Sequence, residues 1–367
     1  MTAPRRPLVL VMAGGTGGHV YPALAVAVEL RARGCRVEWL GTRRGLEQRV
    51  IPAAGIALHH LSVRGVRGKN RLYQLLGAAL LLLAALQALW LVARLRPNCV
   101  VGMGGYAAGP GGVAAWLLRR PLLIHEQNAV AGTTNRLLAP LASRVLAGFA
   151  GAFSRQQRCS VLGNPLRRAL VQAAVATSDY DFQGQRALRL LVLGGSLGAQ
   201  PINAVVPGAV RALLANGTAV QVWHQTGADH VAAVRADYGS LLQQGVRVAA
   251  FIEEMEQAYA WADLAVCRAG ALTVSELAVM GCPAILVPLP QAIDDHQSAN
   301  ARVLTECGGA MVLAQQGLSA DTLAAALRDL AAHPRRLSDM AAAARRAGRP
   351  DATARVCDCC EELLHGH

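Results

Sequence analysis

The sequence predicts an α/β fold of two Rossmann-like parallel-sheet domains, and three observations carry that expectation. Short aliphatic runs alternate with helical stretches along the whole chain, the signature of parallel sheets covered by helices on both faces. The pattern opens twice, at Leu8–Met12 and again at Leu188–Leu193, each time running into consecutive glycines. A length of 367 residues exceeds one ordinary compact domain and suits two of similar size.

In the first half, Leu8–Met12 is the leading strand. Arg5-Arg6-Pro7 ahead of it imitates a signal peptide, but the apolar run is too short and meets Gly14-Gly15 at once. A helix follows from about Pro22 to Arg33, with proline near its first turn and Gly34 past its end. Strands are then expected at Val37–Leu40, Cys99–Gly102, Leu122–His125 and Val145–Ala147, and a hinge near Gly163-Asn164-Pro165. The second half gives Leu188–Leu193, Val220–His224, Val246–Phe251, Leu264–Cys267 and Ala284–Val287, with a last helix from about Asp351 to Leu364.

The stretch Leu75–Ala93 is almost wholly apolar, and as a helix it extends about 28 Å, close to a hydrocarbon core. Spanning a bilayer would strand the flanking β-strands on opposite sides, so the helix is either core or dips one face into a membrane interface. Arg64, Arg67, Lys69 and Arg71 precede it and Arg94 and Arg96 follow, each worth roughly 1 kcal/mol near an anionic leaflet. That favours the interfacial reading over pure core, in a protein read as cytosolic.

The formal charge of +13 calls for an anionic partner, a membrane surface or phosphorylated small molecules. Scattered arginines with only 4% aromatic residues argue against nucleic acid. Nine cysteines without a regular framework point to a reducing compartment. The tail Cys357-Asp358-Cys359-Cys360 with His365 and His367 suits either a soft metal or the close of a terminal helix, and the helix is the expectation. No Asp-x-Asp pair and no His and carboxylate cluster with clear metal-ligand spacing is recognised, so neither a metal nor a cofactor is expected.

Three constellations carry chemistry. Gly14-Gly15-Thr16-Gly17-Gly18-His19 lets backbone N–H groups approach an anion at a helix start. Val20 occupies the third glycine position of a dinucleotide fingerprint, so a phosphate or diphosphate fits better than a nicotinamide cofactor. His19 either takes a proton from a sugar hydroxyl or merely caps the turn. In Arg268 to Glu276, small residues open a helix toward a diphosphate, and Glu276 either binds a ribose diol or compensates the helix dipole. Asp294-Asp295-His296-Gln297 offers polar groups to sugar hydroxyls or forms a plain capping loop. The third group is Ile124 to Asn128 beside Gly102 to Tyr106, two polar or glycine-rich strand ends where doubly wound folds gather ligands.

Together these motifs resemble the MurG family within glycosyltransferase family 28. The matching stretches are Met12–Ala27, Gly102–Gly112, His125–Asn135, Gly163–Arg167, Leu193–Ala199, Cys267–Leu277 and Asp294–Ala301, in the same order over nearly the whole chain. The resemblance implies a GT-B fold, two Rossmann-like domains facing across a cleft. Residues 1–164 would form an acceptor and membrane-associating domain, 165–349 a UDP-sugar domain, and 350–367 a helix packing back on the first. It implies inverting transfer of N-acetylglucosamine from UDP-N-acetylglucosamine to the 4-hydroxyl of the muramyl sugar of undecaprenyl-diphosphate-muramyl-pentapeptide, in peptidoglycan biosynthesis. By that likeness His19 is the base. Glu276 holds the ribose, Ile252 the uracil edge through its backbone, and Ser196 with Ala271, Leu272, Thr273, Val274 and Ser275 the diphosphate. Gln297 binds sugar hydroxyls, and Arg167, Asn128, Thr16, Gly17 and Gly18 complete the site. The alternative is another GT-B enzyme using a UDP-sugar, an epimerase or a transferase with a different acceptor.

Overall fold

The structure, a computed structural model, describes residues 6–62, 71–153, 159–176, 180–195, 197–290 and 295–366, with 71–79 described by backbone alone. Arg64, Arg67, Lys69, Ser196, Asp294 and His367 lie outside the described residues, as does the side chain of Arg71. The chain divides into two compact units, Met1–Arg167 with Asp351–His367, and Arg168–Pro350.

The first unit runs β1 (Leu8–Met12), α1 (Gly17–Ala32), β2 (Arg36–Thr42), α2 (Glu47–Ala53), β3 (Ala57–Leu61), α3 (Arg71–Leu95), β4 (Cys99–Gly102), α4 (Ala108–Leu117), β5 (Leu122–Glu126), α5 (Thr133–Leu138), β6 (Arg144–Ala147) and β7 (Cys159–Val161). The seven strands lie in the order β3-β2-β1-β4-β5-β6-β7, and every pairing is parallel. Side chains alternate across β1: Val9 and Val11 face the core under α1, while Leu10 and Met12 face the one under α3 and α4. The strand order reverses between β1 and β4, which opens a crevice at their C-terminal ends.

The second unit runs α6 (Arg168–Ala176), β8 (Leu188–Leu193), α7 (Gln200–Ala215), β9 (Val220–Gln225), α8 (Val231–Tyr238), β10 (Val246–Ala249), α9 (Met255–Trp261), β11 (Leu264–Cys267), α10 (Ala271–Met280), β12 (Ala284–Leu286), α11 (His296–Thr305), β13 (Ala310–Val312), α12 (Ala320–Ala332) and α13 (Pro334–Ala347). Its parallel sheet has the order β10-β9-β8-β11-β12-β13, reversing between β8 and β11. The expected pair of parallel-sheet domains is therefore present.

The last helix, α14 (Ala352–His365), belongs to the first unit. Val356, Cys357 and Cys360 enter the core with Val26, Ala27 and Leu30 of α1, and Arg33 pairs with Asp358 at 2.6 Å and Glu361 at 3.0 Å. The cysteines at the tail thus form the apolar face of a helix. Among the described residues no group of three or more His, Cys, Asp or Glu is placed to hold a metal ion.

Several expected bounds shift. The first helix starts at Gly17, not Pro22, because Gly17 and Gly18 take helical geometry immediately after the turn. The strand expected over Val246–Phe251 stops at Ala249. β3, β7 and β13 were not anticipated: β3 contains His59 and His60, and the other two are three residues each, too short for a periodic signal. The helix expected over Leu75–Ala93 spans Arg71–Leu95, and it is not a fully buried one. Ala84, Ala88, Leu91 and Val92 are buried, whereas Leu82, Leu86 and Trp90 are 64%, 57% and 61% exposed. Among the described residues no helix is long and apolar enough to cross a membrane.

Candidate active site

In the first unit the reversal point is lined by two glycine turns that touch. Gly105 has φ +84°, and a Cβ there would stand 2.5 Å from the Gly14 carbonyl oxygen, so only glycine lets the turn after β4 meet the turn after β1. Thr16, Gly17 and Gly18 form the start of α1. No side chain caps that start, and its first N–H groups lack intrahelical acceptors. The turn is held from behind by Glu47, fully buried, whose carboxylate accepts from Gly15 N at 3.0 Å, Thr42 N at 3.1 Å and Thr42 Oγ1 at 2.7 Å. The Gly15 N–H is therefore spent internally, which narrows the anion cradle expected over the loop to the first N–H groups of α1.

His19, in the first turn of α1, is half-buried and packs its ring on Gly104 (φ +92°), where a Cβ would lie 2.8 Å from its Nδ1 and Cε1. His19 Nδ1 is 2.9 Å from Gln127 Oε1. Gln127 Nε2 in turn lies 3.2 Å from His125 Nδ1 and 3.1 Å from the His125 carbonyl oxygen, and His125 Nε2 lies 2.9 Å from the Gly163 carbonyl oxygen. Burial pushes the His125 imidazole down to about 4, so it is neutral at ordinary pH.

The loop after β5 is shaped by Glu126, a buried carboxylate that accepts from Asn128 N (2.9 Å), Asn128 Nδ2 (3.0 Å), Gly132 N (3.0 Å) and Asn135 Nδ2 (2.8 Å). Four donors on one carboxylate satisfy its lone pairs and fix Asn128 at the strand end. Arg167 lies with the first unit, its guanidinium 5.9 Å from the centroid of the Tyr21 ring on α1.

In the second unit the reversal point holds Gly194 and Gly195 after β8 and the start of α10 after β11. α10 opens at Gly270 without a side-chain cap. Val274 is buried, and Ser275 Oγ donates to the Ala271 carbonyl at 2.9 Å. Ala271, Leu272 and Thr273 form the first turn, whose N–H groups have no acceptor within the helix. Glu276, one turn in, accepts a hydrogen bond from Tyr259 Oη at 3.0 Å; burial, with this carboxylate beside it, pushes the Tyr259 phenol well above its usual range and keeps it a donor.

Ile252 N donates to Gln225 Oε1 at 2.9 Å, and Gln225 Nε2 donates to the Gly195 carbonyl at 3.0 Å, so Gln225 ties the Ile252 backbone to the glycine turn. Gln297 Oε1 accepts from Leu289 N at 3.0 Å. Arg268 donates to the Val287 carbonyl (3.1 Å) and Gln315 Oε1 (2.7 Å), neutral acceptors, and burial lowers its guanidinium pKa.

The reading of the residues missed Glu47, Gln225 and Tyr259, and gave Gln127 and Arg268 no role. Gln127 and Gln225 carried a usable signal, a polar residue at the end of a buried strand. Tyr259 carried none. The expectation that the chain has no Asp-x-Asp pair is wrong: Asp179-Tyr180-Asp181 precedes β8, and Asp181 pairs with Arg186 at 2.7 Å, while Asp179 lies outside the described residues.

Two doubly wound parallel sheets, each with a glycine turn and an uncapped helix start at its reversal point, define a GT-B-like protein. The profile of the glycosyltransferase family 28 N-terminal domain matches residues 9–147, and that of the family's C-terminal domain matches residues 189–356. The UDP-N-acetylglucosamine–N-acetylmuramyl-(pentapeptide) pyrophosphoryl-undecaprenol N-acetylglucosamine transferase of Alkalilimnicola ehrlichii is 54% identical over 365 residues, 99% of either chain. The protein of the same name from Cellvibrio japonicus is 51% identical over 362 residues, 98% of this chain and 99% of that one. Among solved structures, Acinetobacter baumannii MurG superposes with a TM-score of 0.81 at 37% identity, covering 97% of this chain and 99% of its own. The chain belongs to glycosyltransferase family 28.

Proposed function

We propose that this chain transfers N-acetylglucosamine from UDP-N-acetylglucosamine to the 4-hydroxyl of the muramyl sugar of undecaprenyl-diphosphate-muramyl-pentapeptide, with inversion at the anomeric carbon. One observation carries the reading: identity of 54% to a transferase of that name runs through both units, so the elements for donor and acceptor are retained together. In this reading the second unit takes the donor. Glu276 accepts from the ribose diol, the Ile252 carbonyl from the uracil, and the start of α10 at Ala271 to Ser275, with Ser196, stabilises the diphosphate as it leaves. Gln297 meets the sugar hydroxyls. The first unit takes the acceptor, with Thr16 to Gly18 toward its diphosphate, Asn128 and Arg167 beside the sugar, and His19 withdrawing the hydroxyl proton as the oxygen attacks.

The outer face of α3 supports a peripheral membrane contact at the cytoplasmic face of the inner membrane. Leu82, Leu86 and Trp90 recur every four residues on one helical face, Trp116 of α4 is 50% exposed, and Arg94 sits 5.1 Å from the centroid of the Trp90 ring. Apolar side chains flanked by cations suit an anionic leaflet.

Labelled UDP-N-acetylglucosamine incubated with a short-chain lipid-linked muramyl acceptor tests the reaction. The expected product is a lipid-linked disaccharide with a β-linkage at the muramyl 4-hydroxyl. Epimerised or hydrolysed donor formed without acceptor, and no disaccharide with it, overturns the proposal.

A further inference from the structure

The hydrogen bonds behind His19 form a chain whose direction is dictated from its far end. The Gly163 carbonyl has no proton to give, so His125 Nε2, 2.9 Å away, must carry the hydrogen. His125 is buried and neutral, which leaves Nδ1 as a lone-pair acceptor. The Gln127 amide end at 3.2 Å from that Nδ1 also lies 3.1 Å from the His125 carbonyl oxygen. Both are acceptors, so the NH₂ group must face them; the flipped amide would set oxygen against oxygen. Gln127 Oε1 is thereby turned to His19 Nδ1 at 2.9 Å, and an amide oxygen only accepts. Asn164 Nδ2 holds the backbone of the same residue, donating to the Gln127 carbonyl at 3.0 Å. Nothing in this chain of bonds has a second consistent orientation while His125 stays neutral.

We infer that His125 and Gln127 are positioning residues that fix neutral His19 as its Nδ1–H tautomer, so that its bare Nε2 is the atom that takes the proton. The inference rests on the reading of His19 as the base. Free imidazole exchanges between both tautomers, and only one of them leaves a lone pair on the nitrogen turned away from Gln127. The relay needs no buried carboxylate behind the histidine. Two neutral amide–imidazole bonds and one backbone carbonyl set the tautomer without adding charge beside an anionic acceptor.

The test uses the full chain labelled with ¹⁵N at histidine, with His19 assigned by comparison with His19→Ala. Long-range ¹H–¹⁵N spectra near pH 8 are expected to show Nδ1–H for His19 in the unaltered protein. Gln127→Met keeps the volume and removes both polar ends. It is expected to give His19 mixed tautomers and to lower kcat by roughly 10- to 100-fold, with KM for UDP-N-acetylglucosamine within about twofold. An Nε2–H tautomer in the unaltered protein overturns the proposal, and so does Gln127→Met protein in which either the tautomer or kcat stays unchanged. The unaltered protein's spectrum decides even if Gln127→Met does not fold. Near-normal turnover by His19→Ala would remove the base reading instead, while leaving the tautomer assignment standing, so the two failures are told apart.

Discussion

His19 is seated by a residue with no side chain, and that sets its sensitivity. Gly104→Ala would place a Cβ 2.8 Å from the imidazole in a backbone conformation, φ +92°, that costs an L-residue about 1–2 kcal/mol. The expected outcome is a loss of kcat exceeding the loss of thermal stability, read by parallel kinetics and melting curves. His19→Ala is expected to lower turnover at least ~10²-fold while UDP-N-acetylglucosamine binding by calorimetry survives. In the proposed donor site, Glu276→Gln exchanges a charged acceptor for a neutral one. Since hydrogen bonds to charged groups are worth about 1.5–3 kcal/mol, KM for the donor should rise about tenfold or more with kcat little changed. The sequence exposed His19 and Glu276 because each stands at a fixed offset from glycine at a helix start. It did not expose the part played by Gln127, which depends on the carbonyl of Gly163 and on the burial of His125 between them.

Among the elements, α3 divides into two faces by spacing alone. Ala84 and Ala88 turn inward, and Leu82, Leu86 and Trp90 turn outward, each set four residues apart. Replacing the three outward residues by Gln should leave stability within about 0.5 kcal/mol for each exposed position, because no core contact is removed. Binding to vesicles containing anionic lipid, followed by sedimentation, is expected to fall at least ~10-fold. Retained vesicle binding would remove the membrane role of this face. The apolar length of α3 was plain in the sequence, but the small inward alanines told nothing about which side met the sheet until α4 was seen to pack there. β3 shows the opposite failure. Its His59 reaches Glu38 on β2 at 2.6 Å, a cross-strand polar pair that masks the aliphatic pattern strands are found by.

At the scale of the whole molecule, among the described residues each unit carries one histidine buried as a neutral group. His125 is held down to about 4, and His224, bonded to Tyr238 Oη and Asn203 Oδ1 at 3.0 Å each, to about 3, both by burial. An unfolded histidine titrates near 6.5. Between that value and the folded ones the unfolded chain binds more protons, so stability is full above pH 6.5 and is lost as pH falls toward 4 and 3. The loss runs at about 1.4 kcal/mol per pH unit for each group in its window. Urea unfolding at pH 7, 5 and 4 should show it, with a shallower slope in His224→Gln if the protein still folds. The terminal helix is the other whole-molecule dependence. Ending the chain before Asp351 strips Val356, Cys357 and Cys360 from the core over α1, and is expected to leave the first unit insoluble or molten, as judged by near-ultraviolet circular dichroism.

The sequence by itself determined the alternation of strands and helices, the two glycine openings and hence the doubling of the fold, because those depend on short-range periodicity and on φ values that glycine alone reaches cheaply. Tertiary structure alone decided which polar groups are already spent. Gly15 N goes to Glu47, Ile252 N to Gln225, and Gln127 to the two histidines on either side of it. Hydrogen-bond partners distant in sequence are chosen by sheet order and burial, and neither is encoded in any window a periodic pattern can read.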